Sequence, residues 1–180
     1  MTVRVGQGFD VHPFAGDPDR RLVLGGVPID GGRGLAGHSD ADAVAHALAD
    51  ALLGAAGLGD LGHHFPDSDP AWAGADSIDL LGAVAAMVLA AGFRPVNADC
   101  TVVAEAPKLA PFVERMVARL SATVGAPVSV KATRAEGLGA LGRVEGIACL
   151  AVVLVEVVES PVRTGGGERG HETPAGRDRP

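Results

Sequence analysis

Val44, Leu48 and Leu52 recur every fourth residue in an alanine-rich stretch without proline, the spacing of one helix face. Ser39 or Asp40 is a suitable N-cap, and Gly57 and Gly59 follow the last apolar position, so the pattern predicts a helix over 40–56. Thr2 to Val5 and Phe9 to His12 alternate between polar and apolar, as half-buried strands do. Gly6-Gln7-Gly8 between them predicts a bend. Asp10 and His12, two apart on a strand, point to the same side. Arg21 to Ile29 reads as a strand pair around a Gly25-Gly26 turn. Further helices are predicted over 77–91 and 111–124, closed by Gly92 and Gly125. Strands are predicted over 95–105, 128–133 and 147–158. Leu58 to Pro70 reads as one long irregular segment, which compact domains rarely carry without a use. Arg134 to Gly146 reads as a glycine-rich loop.

Strands and helices intermix in this order. An α+β or α/β two-layer sandwich is therefore expected. One domain spans 1–159. Residues 160–180 are rich in Gly, Pro, Arg and Glu, cannot bury a core, and are expected to be disordered.

Charge and composition narrow the function. A net charge of −7 disfavours a binder of phosphate backbones, and 3% aromatics with no tyrosine leaves no stacking platform. No nucleic-acid partner is expected. Cys100 and Cys149 are too few and too far apart for a disulfide framework. The longest apolar run, Ile147 to Val155, is far short of a membrane span, and no signal segment opens the chain. A cytoplasmic setting without membrane partners is the simplest reading.

The candidate chemistry gathers on the first helix and first strand. Asp42, His46 and Asp50 fall four apart, so one helix face places an imidazole between two carboxylates that can orient it. His46 with Asp10 and His12 gives a carboxylate and two imidazoles, a three-ligand set for Zn²⁺ with an open fourth position. His63 and His64 are rival ligands, although a tandem pair in a strand or loop points its rings apart. Asp60, Asp67 and Asp69 crowd one loop, as turn formers or as partners for hydroxyls. Lys108 follows a strand at a turn. The glycines after Thr133 would let backbone N–H groups reach a phosphate.

Gly6-Gln7-Gly8-Phe9-Asp10-Val11-His12, His38-Ser39-Asp40-Ala41-Asp42 with His46, Leu58-Gly59-Asp60-Leu61-Gly62 and Phe65-Pro66-Asp67-Ser68-Asp69-Pro70 stand in register. So do Gly74-Ala75-Asp76-Ser77, Ala106-Pro107-Lys108 and Gly142-Arg143 with Glu145-Gly146. Together they resemble the 2-C-methyl-D-erythritol 2,4-cyclodiphosphate synthase family over residues 3 to 158. The resemblance implies an α+β fold, a two-layer sandwich of a mixed β-sheet with helices on one face, assembled as a homotrimer with its active site between subunits. It implies conversion of 4-diphosphocytidyl-2-C-methyl-D-erythritol 2-phosphate to the cyclic diphosphate and CMP, in the non-mevalonate isoprenoid route. By position, Asp10, His12 and His46 would hold zinc, and Glu136 a second divalent ion, Mg²⁺ or Mn²⁺. His38 and Ser39 would meet the phosphate and erythritol part, His38 as a catalytic residue. Asp60, Leu61 and Gly62 would face its hydroxyls, with Phe65, Pro66, Asp67, Ser68 and Asp69 shaping that pocket. From the neighbouring subunit, Ala104, Glu105, Ala106, Pro107, Lys108, Leu109 and Ala110 would frame the cytosine, Lys108 near the phosphates. Val11, Thr133, Arg134, Ala135, Ala140 and Arg143 complete the implied contacts. No cytidylyltransferase domain is expected before this one.

One loop departs from the family pattern. Arg134 replaces a threonine that the family uses to steady the phosphates, so it is the second catalytic candidate. Ala135 lacks a hydroxyl, Ala140-Leu141 replaces Phe-Thr, and Val144 replaces a glycine. These changes leave two alternatives to the synthase: a non-catalytic trimer that binds metal and diphosphate, or a related metal-dependent phosphohydrolase.

Overall fold

The computed structural model describes residues 2–158, so the tail expected to be disordered lies outside the described residues. Among the described residues, four strands form a mixed sheet in the order β1-β6-β4-β5: β1 Val3–Pro13, β4 Phe93–Val103, β5 Val128–Thr133 and β6 Gly146–Val157. Only β4 and β5 run parallel; β6 is antiparallel to both β1 and β4. A separate hairpin joins β2, Val23–Leu24, to β3, Val27–Pro28. The helices are α1 Ala43–Ala56, α2 Leu61–His64, α3 Ser77–Ala90, α4 Val113–Val124 and α5 Gly139–Gly142. None of them is long and apolar enough to cross a membrane.

The core lies on one face of the sheet. Ala98, Cys100, Val130, Cys149, Ala151 and Val153 are buried there with Val44, Leu48 and Leu52 of α1 and Leu81 and Val84 of α3. The α+β reading, the mixed sheet and the single helical layer therefore hold. On the other face Val5, Phe9, Leu150 and Val152 remain exposed, at 41–66%. Phe9 and Leu150 are direct cross-strand partners there.

The predicted bend at Gly6-Gln7-Gly8 does not occur; β1 runs straight through it. Both glycines face α1, and an added Cβ would lie 1.9 Å from the carbonyl oxygen of Ala51 at Gly6 and of Ala47 at Gly8. The missing side chains let an alanine-lined helix sit on the strand backbone. They serve close approach, not flexibility.

Helix α1 starts later than 40, and its N-cap is Asp42, not Ser39 or Asp40. The Asp42 carboxylate accepts from Val44 N at 3.0 Å and Ala45 N at 3.1 Å, and from Gly25 N at 2.8 Å and Gly26 N at 2.6 Å. It thus caps the helix and fastens the hairpin turn to it. Burial pushes its carboxyl up to about 6, against backbone hydrogen bonds from Gly26, Ala45 and Gly25. Asp42 therefore does not flank His46 on a shared face.

The irregular 58–70 segment holds one short helical turn, α2, and runs into a 3₁₀ turn at its end. Asp60 caps α2 through His63 N at 2.8 Å, and Asp69 caps the 3₁₀ turn Pro70–Trp72 through Ala71 N at 2.9 Å. The third helix begins at Val113, after a 3₁₀ turn at Ala110–Phe112. The 134–146 loop also contains a turn of helix, α5.

Candidate active site

Strand alternation turns Asp10 and His12 toward α1, and His46 on α1 meets them. Asp10 Oδ2 lies 3.0 Å from His12 Nε2 and 3.3 Å from His46 Nδ1, and the two nitrogens are 3.2 Å apart. Tetrahedral donors about 2.0–2.1 Å from a zinc ion lie roughly 3.3 Å from one another, so this triangle fits one small cation.

The surroundings prepare each donor. His12 Nδ1 meets the Ala36 carbonyl at 2.8 Å; donating there leaves Nε2 with a free lone pair. His46 Nε2 meets Ser77 Oγ at 2.9 Å and Ser39 Oγ at 3.2 Å, which leaves Nδ1 free in the same way. Asp10 Oδ2 is buried and has no well-directed hydrogen bond. Such an orphaned carboxylate oxygen beside two ring nitrogens fits a divalent ion. Burial raises the Asp10 carboxyl, but the close His12 and His46 rings outweigh it and hold the group below the usual carboxylate range. For His12, burial favours the neutral ring, yet the adjoining Asp10 carboxylate lifts its pKa above 6.5. His63 and His64 lie on α2, not in a strand or loop, and His64 Nε2 meets the Leu58 carbonyl at 2.8 Å. The one group of three or more metal-ligating side chains gathered among the described residues is Asp10, His12 and His46.

The triangle opens on a cleft of about 530 Å³. Gly37, His38, Ser39, Leu61, Gly62, Phe65, Pro66 and Asp67 line it, joined by Asp50, Trp72 and Leu80. His38 Nε2 meets the Asp69 carbonyl at 3.1 Å, tying one wall to the other. Phe65 and Trp72 pack edge to face, with centroids 5.0 Å apart. Asp60 and Asp69 turn their carboxylates to capping, and Ser68 is not among the lining residues. Val11 faces the opposite side of the sheet, 49% exposed, as strand alternation requires.

A second pocket of about 390 Å³ lies beyond the ends of β4 and β5, lined by Ala104, Glu105, Pro107, Lys108, Leu109, Ala110, Ala132, Thr133 and Arg134. Arg134 is paired with Glu105 at 2.7 Å. Ala106, Ala135, Glu136, Ala140 and Arg143 do not line it, and Arg143 pairs with Glu145 at 2.6 Å.

Three features escape the sequence reading. The carboxylate that orients His46 is Asp40, acting through Ser77: Ser77 Oγ bonds Asp40 Oδ1 and meets the His46 ring. Asp50 instead anchors α2 through Leu61 N at 2.7 Å, and burial raises its pKa. Arg20 Nη2 donates to the carbonyls of Gly37 at 3.1 Å and Ser39 at 2.5 Å, bracketing His38. Asp40 and Ser77 stand in the blocks quoted above and Asp50 in the helix stripe, though not in these roles; Arg20 carried no signal.

The YgbB family profile matches residues 3–156. The 2-C-methyl-D-erythritol 2,4-cyclodiphosphate synthase of Symbiobacterium thermophilum is 57% identical over 84% of this chain and 97% of its own. The bifunctional IspDF of Campylobacter jejuni superposes with a TM-score of 0.83 at 42% identity; the match covers 88% of this chain and 43% of that one. The CDP complex of IspF from Plasmodium falciparum gives a TM-score of 0.75 at 29% identity, covering 87% and 97%. With the profile spanning nearly all the described residues and relatives this similar along their whole length, the chain belongs to the YgbB family.

Proposed function

We propose that this protein converts 4-diphosphocytidyl-2-C-methyl-D-erythritol 2-phosphate to 2-C-methyl-D-erythritol 2,4-cyclodiphosphate and CMP, in a cytoplasmic setting. The observation that carries the reading is the converging Asp10, His12 and His46 triangle at the mouth of a cleft, in a chain of this family. An oxygen of the 2-phosphate attacks the β-phosphorus, the bond to the CMP oxygen breaks, and CMP leaves. Both reacting groups belong to one molecule, so the protein must fold it back, shield it from water and offset crowded negative charge. Zinc on the triangle would supply Lewis-acid polarisation of a phosphate oxygen. His38 and Ser39 would hold the 2-phosphate end, and Leu61 to Asp67 the erythritol. The second pocket would take the cytosine, with Lys108 and Arg134 turned to the diphosphate. Glu136 would hold a second ion, Mg²⁺ or Mn²⁺.

A homotrimer completes the site in this reading. The cleft and the second pocket share no lining residue. The cleft opens beside β1, at one edge of the sheet, and β5 is the opposite edge; with strands ~4.8 Å apart the edges are roughly 14 Å apart. In this reading the substrate is served by the cleft of one chain and the second pocket of its neighbour. The exposed apolar sheet face supports association of this kind.

Incubating the purified protein with substrate and Mg²⁺, followed by phosphorus NMR, tests the assignment. The expected products are CMP and the cyclic diphosphate. CMP with an open-chain phosphate would favour a phosphohydrolase, and binding without turnover a non-catalytic trimer.

The raised pKa of His12 gives a pH signature. A ligating imidazole must be neutral, so protons compete with the metal. Because the folded His12 holds its proton to a higher pH than a free imidazole, apparent zinc affinity should begin to fall above pH 6.5. Below that break the fall should reach about one log unit per pH unit as His12 takes up its proton. A chelator-competition titration from pH 8.5 to 5.5 reads it, and a flat profile down to 6.5 would contradict the assignment.

A further inference from the structure

Glu105 follows the end of β4, in the wall of the second pocket. Its carboxylate is engaged on both oxygens. Oε2 accepts from Arg134 Nε at 2.8 Å and Nη2 at 2.7 Å, while Oε1 accepts the Gly137 backbone N–H at 3.1 Å. One side chain thus staples residues 134 and 137 across a tight turn. Inside the staple sits Glu136 with φ +52°, a left-handed conformation that a non-glycine residue keeps only when its surroundings enforce it. The Gly137 N–H and the Arg134 guanidinium also hold the Glu105 carboxyl below its usual range. Burial divides the pair: the Glu105 side chain is 6% exposed and that of Arg134 64%. The carboxylate is a fixed anchor, and the guanidinium is presented outward with only part of its donor fork engaged.

We infer that Glu105 is a positioning residue: it aims the Arg134 cation at the nucleotide's diphosphate and locks the turn that carries Glu136. The inference rests on the cyclisation reading of this site. A free arginine loses several rotamers on meeting a phosphate, whereas one already clamped loses little. Without the clamp, Arg134 would be a long flexible side chain beside the pocket.

Two substitutions separate the two contacts. Glu105→Gln keeps an oxygen for the Gly137 N–H but loses the charge-assisted pair with Arg134. Glu105→Ala loses both. CDP serves as the binding probe, with affinity measured by calorimetry in four proteins: wild type, Glu105→Gln, Arg134→Thr and the double variant. Glu105→Gln should weaken CDP roughly 10-fold with Arg134 present and less than about 2-fold with threonine there, a coupling that a double-mutant cycle isolates. In turnover assays Glu105→Gln should lower kcat/KM by a similar factor. Hydrogen exchange of the Gly137 amide should speed up at least ~10-fold in Glu105→Ala and stay near wild type in Glu105→Gln.

Equal effects of Glu105→Gln in both backgrounds would overturn the positioning of Arg134. Unchanged Gly137 exchange in Glu105→Ala would overturn the staple. Exchange and CDP binding need no turnover, so an inactive wild type would refute the cyclisation reading while these two measurements still decide the clamp.

Discussion

Gly8→Ala should destabilise the protein by ~3 kcal/mol or more, because the new methyl would stand 1.9 Å from the Ala47 carbonyl oxygen and 2.8 Å from the Ala51 nitrogen. Backbone on both sides blocks relief by rotamer change. Strand β1 and helix α1 must separate, and the buried contacts of Val44, Leu48 and Leu52 loosen with them. Urea denaturation reads the loss. The control is Gly54→Ala on the same helix, where the nearest atom is 4.0 Å away; there a helical alanine should stabilise by up to ~1 kcal/mol. Zinc retention adds a second readout. Ala47 is next to His46, so a shifted helix carries Nδ1 away from Asp10 and His12, and metal should be lost before the fold is. A Gly8→Ala protein with wild-type stability would mean that the helix does not rest on the strand backbone.

His46→Ala should remove nearly all zinc and lower turnover by roughly 10³-fold or more, the scale of losing a metal's charge stabilisation. The fold should persist, since His46 makes polar contacts and the apolar face of α1 is untouched. Metal content by mass spectrometry and circular dichroism on one preparation check both halves. Ser77→Ala offers a graded comparison: it keeps Nδ1 but loses the shorter of the two hydroxyl bonds to Nε2 and with it the link to Asp40, so affinity for zinc should drop about 10–100-fold. Full zinc occupancy in His46→Ala would strike His46 from the ligand set.

The parts of the metal triangle were legible from local periodicity, but their union into one ligand set came from the family resemblance. A strand's two-residue repeat places Asp10 with His12, and a helix start before Val44 puts His46 on an inward path. The α+β layering followed from element order in the same way. What stayed hidden depends on partners distant in sequence. Asp40 and Asp42 are equally good caps by type; only the Gly25-Gly26 amides and Ser77 decide which one caps and which one orients the ring. A glycine that admits a helix and a glycine that permits a bend look alike until the helix is in place, so β1 was wrongly expected to bend. Glu105 gave no hint of its grip on Arg134, because nothing in the intervening residues says that β4 and β5 end side by side.

The seat of α1 on Gly6 and Gly8 also sets the gauge of the cation hole. His46 reaches Asp10 through Nδ1, the nearer of its ring nitrogens, and that short arm suffices only because no side-chain layer separates helix from strand. The carbonyls of Ala47 and Ala51 rest directly against the two glycines and fix that spacing. Were lineages to place side chains at Gly6 or Gly8, the aperture would widen, and an ion with longer bonds would displace the small one that fits today.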